Sequence, residues 1–277
     1  MRWDLFQLTF ISIFSFFRHH LNNDLCQLII TGKAEIGLNV EIRQTEMSLS
    51  AISSIRPPTS MSLIKSVAAG FYPLSIHLYK DKIYVGMDNR CDLLRYDLGL
   101  SSSQILAKLA SNVSSIQAYN DELYVCFALK ELVTVYDMTG TFRRSWKHCC
   151  KAYNKLKIVS NTVVVSNSKV QALTVYDNQG QLVKQIKCAG ISSSDNWKAM
   201  AVCEDDSVVV SDHGTGSVFR VNLDSGEVMW TSKHVQYPEG VVCYKNRYVL
   251  VTNKNKDTRI WILDADTGMC LFSNQIN

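Results

Sequence analysis

Five strand-like runs, "IYVG", "LYVC", "VVVS", "VVVS" and "VLVT", each end in an aliphatic residue followed by a small one. Their last valines, Val85, Val125, Val165, Val210 and Val251, are separated by 40, 40, 45 and 41 residues. A second ladder keeps the same rhythm. The runs "LLRYDLG", "VTVYDMTG", "LTVYDNQG", "FRVNLDSG" and "IWILDADTG" stop at Asp97, Asp137, Asp177, Asn222 and Asp264, which step by 40, 40, 45 and 42. A repeat of this length is the signature of a solenoid, an array or a propeller.

Each unit carries two further short strands. Upstream stand "LSIHLY", "SSIQAY", "KLKIV", "KAMAV" and "GVVCY"; downstream stand "ILAKL", "FRRSW", "LVKQI", "VMWTS" and "CLFSN". Four strands per unit with turn residues between them and no helical period describe the blades of an all-β propeller. The Asp/Asn column before glycine has a structural task, because a tight turn needs left-handed backbone and a side chain that bonds the backbone nearby. The small residues Gly86, Cys126, Ser166, Ser211 and Thr252 fall where inner strands crowd together near the axis, which makes Cys126 a packing residue and not a nucleophile.

The five units run from about Phe71 to Asn277. Upstream, "SLIKSVAAG" (Ser62–Gly70) matches "QLVKQIKCAG" (Gln181–Gly190) at Leu63, Ile64, Lys65 and Val67, and "EIGLNVEIR" alternates Ile36, Leu38, Val40 and Ile42 on one face. These signals predict a six-bladed β-propeller over residues 27–277, its sixth blade built in part from about Gln27 to Ala69. Closing the ring removes exposed sheet edges. Residues 1–26 stand apart: "LFQLTFISIFSFF" (Leu5–Phe17) is apolar, yet no small-residue cleavage site follows it and it is short for a bilayer span. It is expected to be a poorly structured or helical segment. A buried stretch or a misassigned chain start is favoured over a signal or an anchor.

Composition removes several classes. A hydrophobic fraction of 47% with 4 Pro excludes disordered and collagen-like chains. The 29 Lys+Arg against 25 Asp+Glu leave a formal charge of +4, which is no polyanion-binding signature by itself. Nine cysteines are scattered without a CxxC pair, and His148, Cys149 and Cys150 are the one dense cluster. Neither a disulfide framework nor a zinc site is indicated, and unpaired thiols in a reducing cytoplasm are expected.

The stretches "FYPLSIHLYKDKIYVGMDNRCDLLRYD" and "YPEGVVCYKNRYVLVTNKNKDTRIWILD" resemble NHL repeats, with Pro238, Gly240, Val241, Asn253, Arg259 and Ile260 on the repeat pattern in the last copy and Pro73 in the first. The resemblance covers roughly 60–277; the middle copies lack the Pro-x-Gly and the Arg. It implies a domain similar to the C-terminal part of tripartite-motif (TRIM-NHL) proteins, where it serves as the substrate-recognition part of a ubiquitin ligase. No RING or B-box array of cysteines and histidines occurs in the sequence, so ligase chemistry is not expected of these residues. "NLDSGEVMW" and "LDADTGMCLF" also look like turn-strand units of quinoprotein propellers, which have more blades than this length supplies.

Catalytic motifs of the G-x-S-x-G, H-E-x-x-H, Walker and Rossmann types are absent. A calcium-dependent hydrolase of the lactonase kind is a minor alternative, since such enzymes gather carboxylates at the channel mouth. The upstream strands offer His77, Gln117 and Lys157 there, with Glu239 nearby as the one acid. Asp212 and His213 in "SDHGTG" form a tempting pair, but no partner histidine recurs in the other copies, and a polar turn between two strands is the favoured reading. The loops after second strands and before first strands share one face of a propeller. They gather Asp88, Asn89, Arg90, Lys130, Lys169, Asp212, His213, Lys254, Asn255, Lys256 and Asp257 with Tyr72, Lys151, Tyr153, Lys155, Trp197 and Tyr237. Basic and aromatic groups converging on one rim suit a binding surface.

The expectation is therefore a non-catalytic, cytoplasmic scaffold without cofactor or metal, monomeric unless an upstream coiled coil exists, presenting that face to a protein partner. Single-stranded RNA is the alternative ligand; DNA and membrane are not expected.

Overall fold

The computed structural model describes residues 24–33, 37–46, 65–67 and 73–275, apart from 88–90, 98–101, 129, 149–153, 168–169, 189–196, 245 and 254–258. Where a partial sixth blade was expected over about Gln27 to Ala69, the described residues form a three-stranded sheet and not a four-stranded blade: β1 (Asp24–Lys33), β2 (Gly37–Glu46) and β3 (Lys65–Val67), antiparallel in the order β1-β2-β3. Leu38 pairs with Val67 and Val40 with Lys65. β1 starts three residues inside the segment set apart from the propeller on sequence, and Leu5–Phe17 lies outside the described residues.

Five four-stranded antiparallel sheets follow. Blade I is β4 (Pro73–Tyr79), β5 (Lys82–Met87), β6 (Asp92–Asp97) and β7 (Ser103–Lys108). Blade II is β8 (Val113–Tyr119), β9 (Glu122–Phe127), β10 (Leu132–Asp137) and β11 (Phe142–Lys147); blade III is β12 (Leu156–Val159), β13 (Thr162–Asn167), β14 (Ala172–Tyr176) and β15 (Leu182–Lys187). Blade IV is β16 (Trp197–Val202), β17 (Val208–Asp212), β18 (Ser217–Val221) and β19 (Val228–Ser232); blade V is β20 (Pro238–Tyr244), β21 (Tyr248–Asn253), β22 (Arg259–Asp264) and β23 (Cys270–Gln275). First strands neighbour one another in the order β4, β8, β12, β16, β20, and the blades form the ring of a β-propeller.

Burial grades outward along each blade. The second strands β9 and β13 are buried at every position after the first, whereas the fourth strand β11 is largely exposed. The core is accordingly divided into layers between successive blades. Tyr84, Leu93, Val113 and Val125 pack between blades I and II; Tyr124, Val133, Leu156 and Val163 between II and III. Leu173, Val175, Trp197 and Phe219 fill the next layer, and Val209, Val218, Trp230 and Val249 the last. This is why valine and small residues recur on the second strands: each must face a neighbour on both sides.

The turn column works as its chemistry requires. Asp177 Oδ1 accepts from Gln179 N and Gln181 N at 2.9 and 2.8 Å, and Asp264 Oδ1 accepts from Asp266 N and Thr267 N at 3.1 and 2.9 Å. The glycines that complete these turns sit under a side chain of the preceding blade. At Gly268 (φ 70°) a Cβ would lie 2.6 Å from the Trp230 ring, and at Gly180 (φ 86°) it would clash with Trp146. Tryptophan of one outer strand thus rests on the bare turn of the next blade.

Arginines tie the same joints. Arg220, 1% exposed, donates from Nε to Ser207 Oγ at 2.7 Å, from Nη1 to Ala265 O at 2.5 Å and from Nη2 to Asp205 Oδ2 at 2.7 Å. Arg144 grips Glu122 through both terminal nitrogens and donates from Nε to Asn178 O at 2.9 Å in blade III. The expectation of unpaired cysteines is corrected at one place: Cys203 and Cys243, 40 residues apart, form a disulfide linking blades IV and V. One repeat of separation puts Cys203, just past the end of β16, beside Cys243 near the end of β20, a proximity that linear spacing rules for frameworks and metal sites do not test. Among the described residues no helix is long and apolar enough to cross a membrane.

Candidate functional site

The first strands surround the axis, and four of them break register as they enter the ring: at Pro73/Ser75, Val113/Ser115, Trp197/Ala199 and Pro238/Val241. A bulge leaves backbone groups off the ladder and redirects side chains. Hydroxyls take up the freed groups. Ser211 Oγ accepts from Ala199 N at 2.9 Å, Thr252 Oγ1 from Gly240 N at 3.0 Å and Ser166 Oγ from Lys155 N at 2.8 Å. In blades I and II the hydroxyl has moved to the inner strand and crosses the joint: Ser75 Oγ accepts from Ile116 N at 2.8 Å and Ser115 Oγ from Leu156 N at 3.1 Å. The matching second-strand positions are then Gly86 and Cys126, and a Cβ on Gly86 would stand 2.5 Å from Val113.

Ser114, Lys198 and Glu239 occupy the breaks themselves, and Lys155 reaches among them. Its ammonium donates to Ser114 O at 3.0 Å. Burial, then the nearby Lys198 charge, lower its pKa to about 8, against the opposing pull of Glu239. Lys157, two residues on and inside β12, is brought to about 8 by burial and by Lys155. His77 is pushed to about 3 by burial and then by Lys157, so it is neutral at neutral pH, and its Nε2 lies 3.2 Å from Gln117 Nε2. The throat of the ring is thus a basic environment with Glu239 as its described carboxylate.

Glu239 is 6% exposed and faces His213, whose Nδ1 lies 3.1 Å from Oε1. His213 is half-buried and packs at 5.3 Å against the ring of Tyr237. Tyr237 is 51% exposed and holds a left-handed φ of 51° as the chain enters β20. The histidine's carboxylate partner is therefore Glu239 of the next blade and not its neighbour Asp212.

Of the sequence-predicted face, Lys155, His213 and Tyr237 come together at the mouth. Lys130 is half-buried, with its ammonium donating to Ala110 O at 2.9 Å, which fastens the connection of blade II to that of blade I. Asp212 is fully buried, and its Oδ1 accepts from Gly214 N and Thr215 N at 2.9 and 3.3 Å, capping its own turn. Trp197, 3% exposed, lies in the core against Phe219 at 5.2 Å and not on the rim. Tyr72, Asp88, Asn89, Arg90, Lys151, Tyr153, Lys169, Lys254, Asn255, Lys256 and Asp257 lie outside the described residues. Lys198 escaped the sequence reading; its position one residue after the bulge-forming Trp197 was the available signal. No group of three or more His, Cys, Asp or Glu at metal-binding distance occurs among the described residues.

Comparison with known proteins agrees on the architecture. No family model matches the chain, and no curated protein matches it in sequence. Solved structures do. The chain is similar to the propeller in a nidogen/laminin complex (11% identity, TM-score 0.63, covering 76% of this chain and 82% of that one). It is also similar to virginiamycin B lyase from Staphylococcus aureus (10% identity, TM-score 0.60, 74% and 70%). BamB from Moraxella catarrhalis matches at 11% identity and a TM-score of 0.54 over 99% and 77% of the two chains. At such identities the likeness establishes the β-propeller fold, shared by a lyase and by proteins that are not enzymes.

Proposed function

We propose that the protein is a non-catalytic binding module which presents the loop face around the ring's throat to a protein partner. Tyr237 carries this reading: an aromatic ring half exposed at the mouth, on a backbone held at a φ of 51°. Positive φ in a bulky residue is strained, and such strain concentrates at functional positions. Exposed tyrosine is also a residue type that dominates contact energies. Val170, 53% exposed, adds apolar surface beside the loop between β13 and β14. Lys130 and Asp212 each hold their own loop in place. The neighbour of the same fold bound in a nidogen/laminin complex supports a protein ligand.

The narrower reading is an NHL-type ring acting as the substrate-recognition part of a tripartite-motif ligase. It rests on Pro238, Gly240, Val241 and Ile260, with the Pro-x-Gly at the β20 bulge where the Gly240 amide needs a hydroxyl acceptor.

A photo-crosslinking residue at position 237, compared with one at the exposed Phe142 of the outer strand β11, tests the face. Crosslinking to a specific protein from 237 and not from 142 is expected. In titration with that purified partner, Tyr237→Ala weakens affinity by about tenfold or more, and Phe142→Ala does not. Equal effects at the two sites overturn the assignment. Binding of single-stranded RNA that falls steeply with salt transfers the face to the RNA alternative.

A further inference from the structure

The second strands differ around the ring. β9 and β13 are buried at every position after the first and β17 throughout, whereas β21 alternates between half-buried and buried. Its half-buried side continues across all four strands of blade V as one row: Val242 pairs with Leu250, Leu250 with Ile262 and Ile262 with Phe272, and all four are half-buried. Tyr244 and Tyr248 pair beside them on the same side and are half-buried too. The alternate residues of these strands belong to the layer against blade IV, so the row faces away from it. At the other joints a first strand of the following blade covers such a face: β8 lies on β4 and β5, β16 on β12 and β13, and β20 on β16 and β17. Blade V is followed by no four-stranded blade among the described residues.

The sheet of β1 to β3 has the matching open side. Residues 68–72 link β3 to β4 as 233–237 link the fourth strand β19 to β20, and Lys65 and Val67 of β3 match Lys184 and Ile186 of the fourth strand β15. β3 therefore holds the fourth place of a blade, β2 the third and β1 the second. The first place is the edge of β1 turned away from β2, which has no strand beside it among the described residues. An open edge next to an apolar face is a template for one more strand.

The chain itself carries a segment suited to that place. In blades I to V the first strand precedes the second by two to five residues, and the apolar run of residues 5–17 precedes β1 by six, 18–23. The run has no charge, no Gly and no Pro, and Phe and Ile dominate it, which suits a strand covered on both faces. A short covalent link gives it a high effective concentration at the edge. First strands are four to seven residues long, so its last seven suffice.

We propose that residues 11–17 dock as the first strand of a sixth blade, antiparallel along the edge of β1, and cover Val242, Leu250 and Tyr248 of blade V. The chain thereby closes its own ring. The closure does not depend on the partner-binding reading, and either can fail without the other.

A photo-crosslinking residue at position 250 of the full chain tests the docking. Trypsin cuts after Arg2 and Arg18 and nowhere between them, so the expected product joins position 250 to the peptide of residues 3–18 within a chain of monomer mass. A crosslink into a second copy, into another protein or only into other parts of this chain, or no crosslink, overturns the proposal. Amide hydrogen exchange reads the unaltered chain. Alternate β1 amides point to β2 and to the other edge, and both sets are expected to exchange slowly. Ile13→Pro removes a ladder donor and should speed the second set by about tenfold or more, whereas Trp3→Pro should not. Fast exchange of the second set in the unaltered chain refutes the docking.

Discussion

Replacing Arg220 by methionine is expected to harm the protein less than replacing it by lysine. The guanidinium supplies three short hydrogen bonds from a site that is 1% exposed, to Ser207 Oγ, Ala265 O and Asp205 Oδ2, with Asp266 Oδ1 at 3.5 Å. Methionine deletes all three, yet it strands nothing. Ser207 Oγ still donates to Asp205 Oδ1 at 2.7 Å, Ala265 O still accepts from Trp230 Nε1 at 2.7 Å, and the Asp205 side chain, 41% exposed, rehydrates. The charged hydrogen bonds lost are offset by no longer burying a cation, leaving a net cost of about 2 kcal/mol. Lysine keeps the buried charge without the planar fork that reaches three acceptors on two blades. An incompletely matched buried cation costs about 4 kcal/mol. Urea unfolding at neutral pH measures both, with the midpoint order wild type above Arg220→Met above Arg220→Lys. A lysine variant as stable as the methionine variant refutes the view that the fork's geometry, and not its charge, secures this joint.

Gly180→Ala adds a methyl group where the Trp146 ring lies and at a φ of 86°, and should lower the thermal midpoint by several degrees, the shift for about 2 kcal/mol in a chain of this size. Below neutrality, His77 and His148 bind protons in the unfolded chain before the folded one, since burial lowers them to about 3 and about 4. Stability therefore rises with pH from those values to the ordinary histidine pKa, and His77→Gln should flatten part of that slope in chemical denaturation. Thiol labelling of the denatured, unreduced chain should leave two cysteines blocked, and Cys203→Ser should cost about 4 kcal/mol in the chain-entropy estimate for the 40-residue separation. Full labelling of all nine thiols would refute the Cys203–Cys243 bond.

The blades were legible because two demands recur in every unit: a second strand buried on both faces and a turn that needs a carboxamide or carboxylate before glycine. Both leave type-specific residues at fixed spacing, so Val125 and Asp137 announce their places. The rim was not legible for the opposite reason. Trp197, Asp212 and Lys130 have the composition of a binding surface, but a bulge turns Trp197 into the core, a cap consumes Asp212, and a carbonyl of the preceding joint takes Lys130. Nor does sequence reveal that His213 pairs across a joint with Glu239, 26 residues on, since partner choice between blades is set by packing and not by neighbourhood.

The migration of one hydroxyl makes the units a set of non-identical keys. A unit ending in the style of blades I and II brings its own serine to the seam that follows, whereas blades III to V keep theirs on the second strand. Transplanting blade II to the place of blade IV would deliver Cys126 where Ser211 bonds both Ala199 N and Glu239 O, the backbone of the residue that holds His213. Shuffling of such modules, in the laboratory or by duplication of the coding sequence, is thereby confined to exchanges that carry both sides of a seam together.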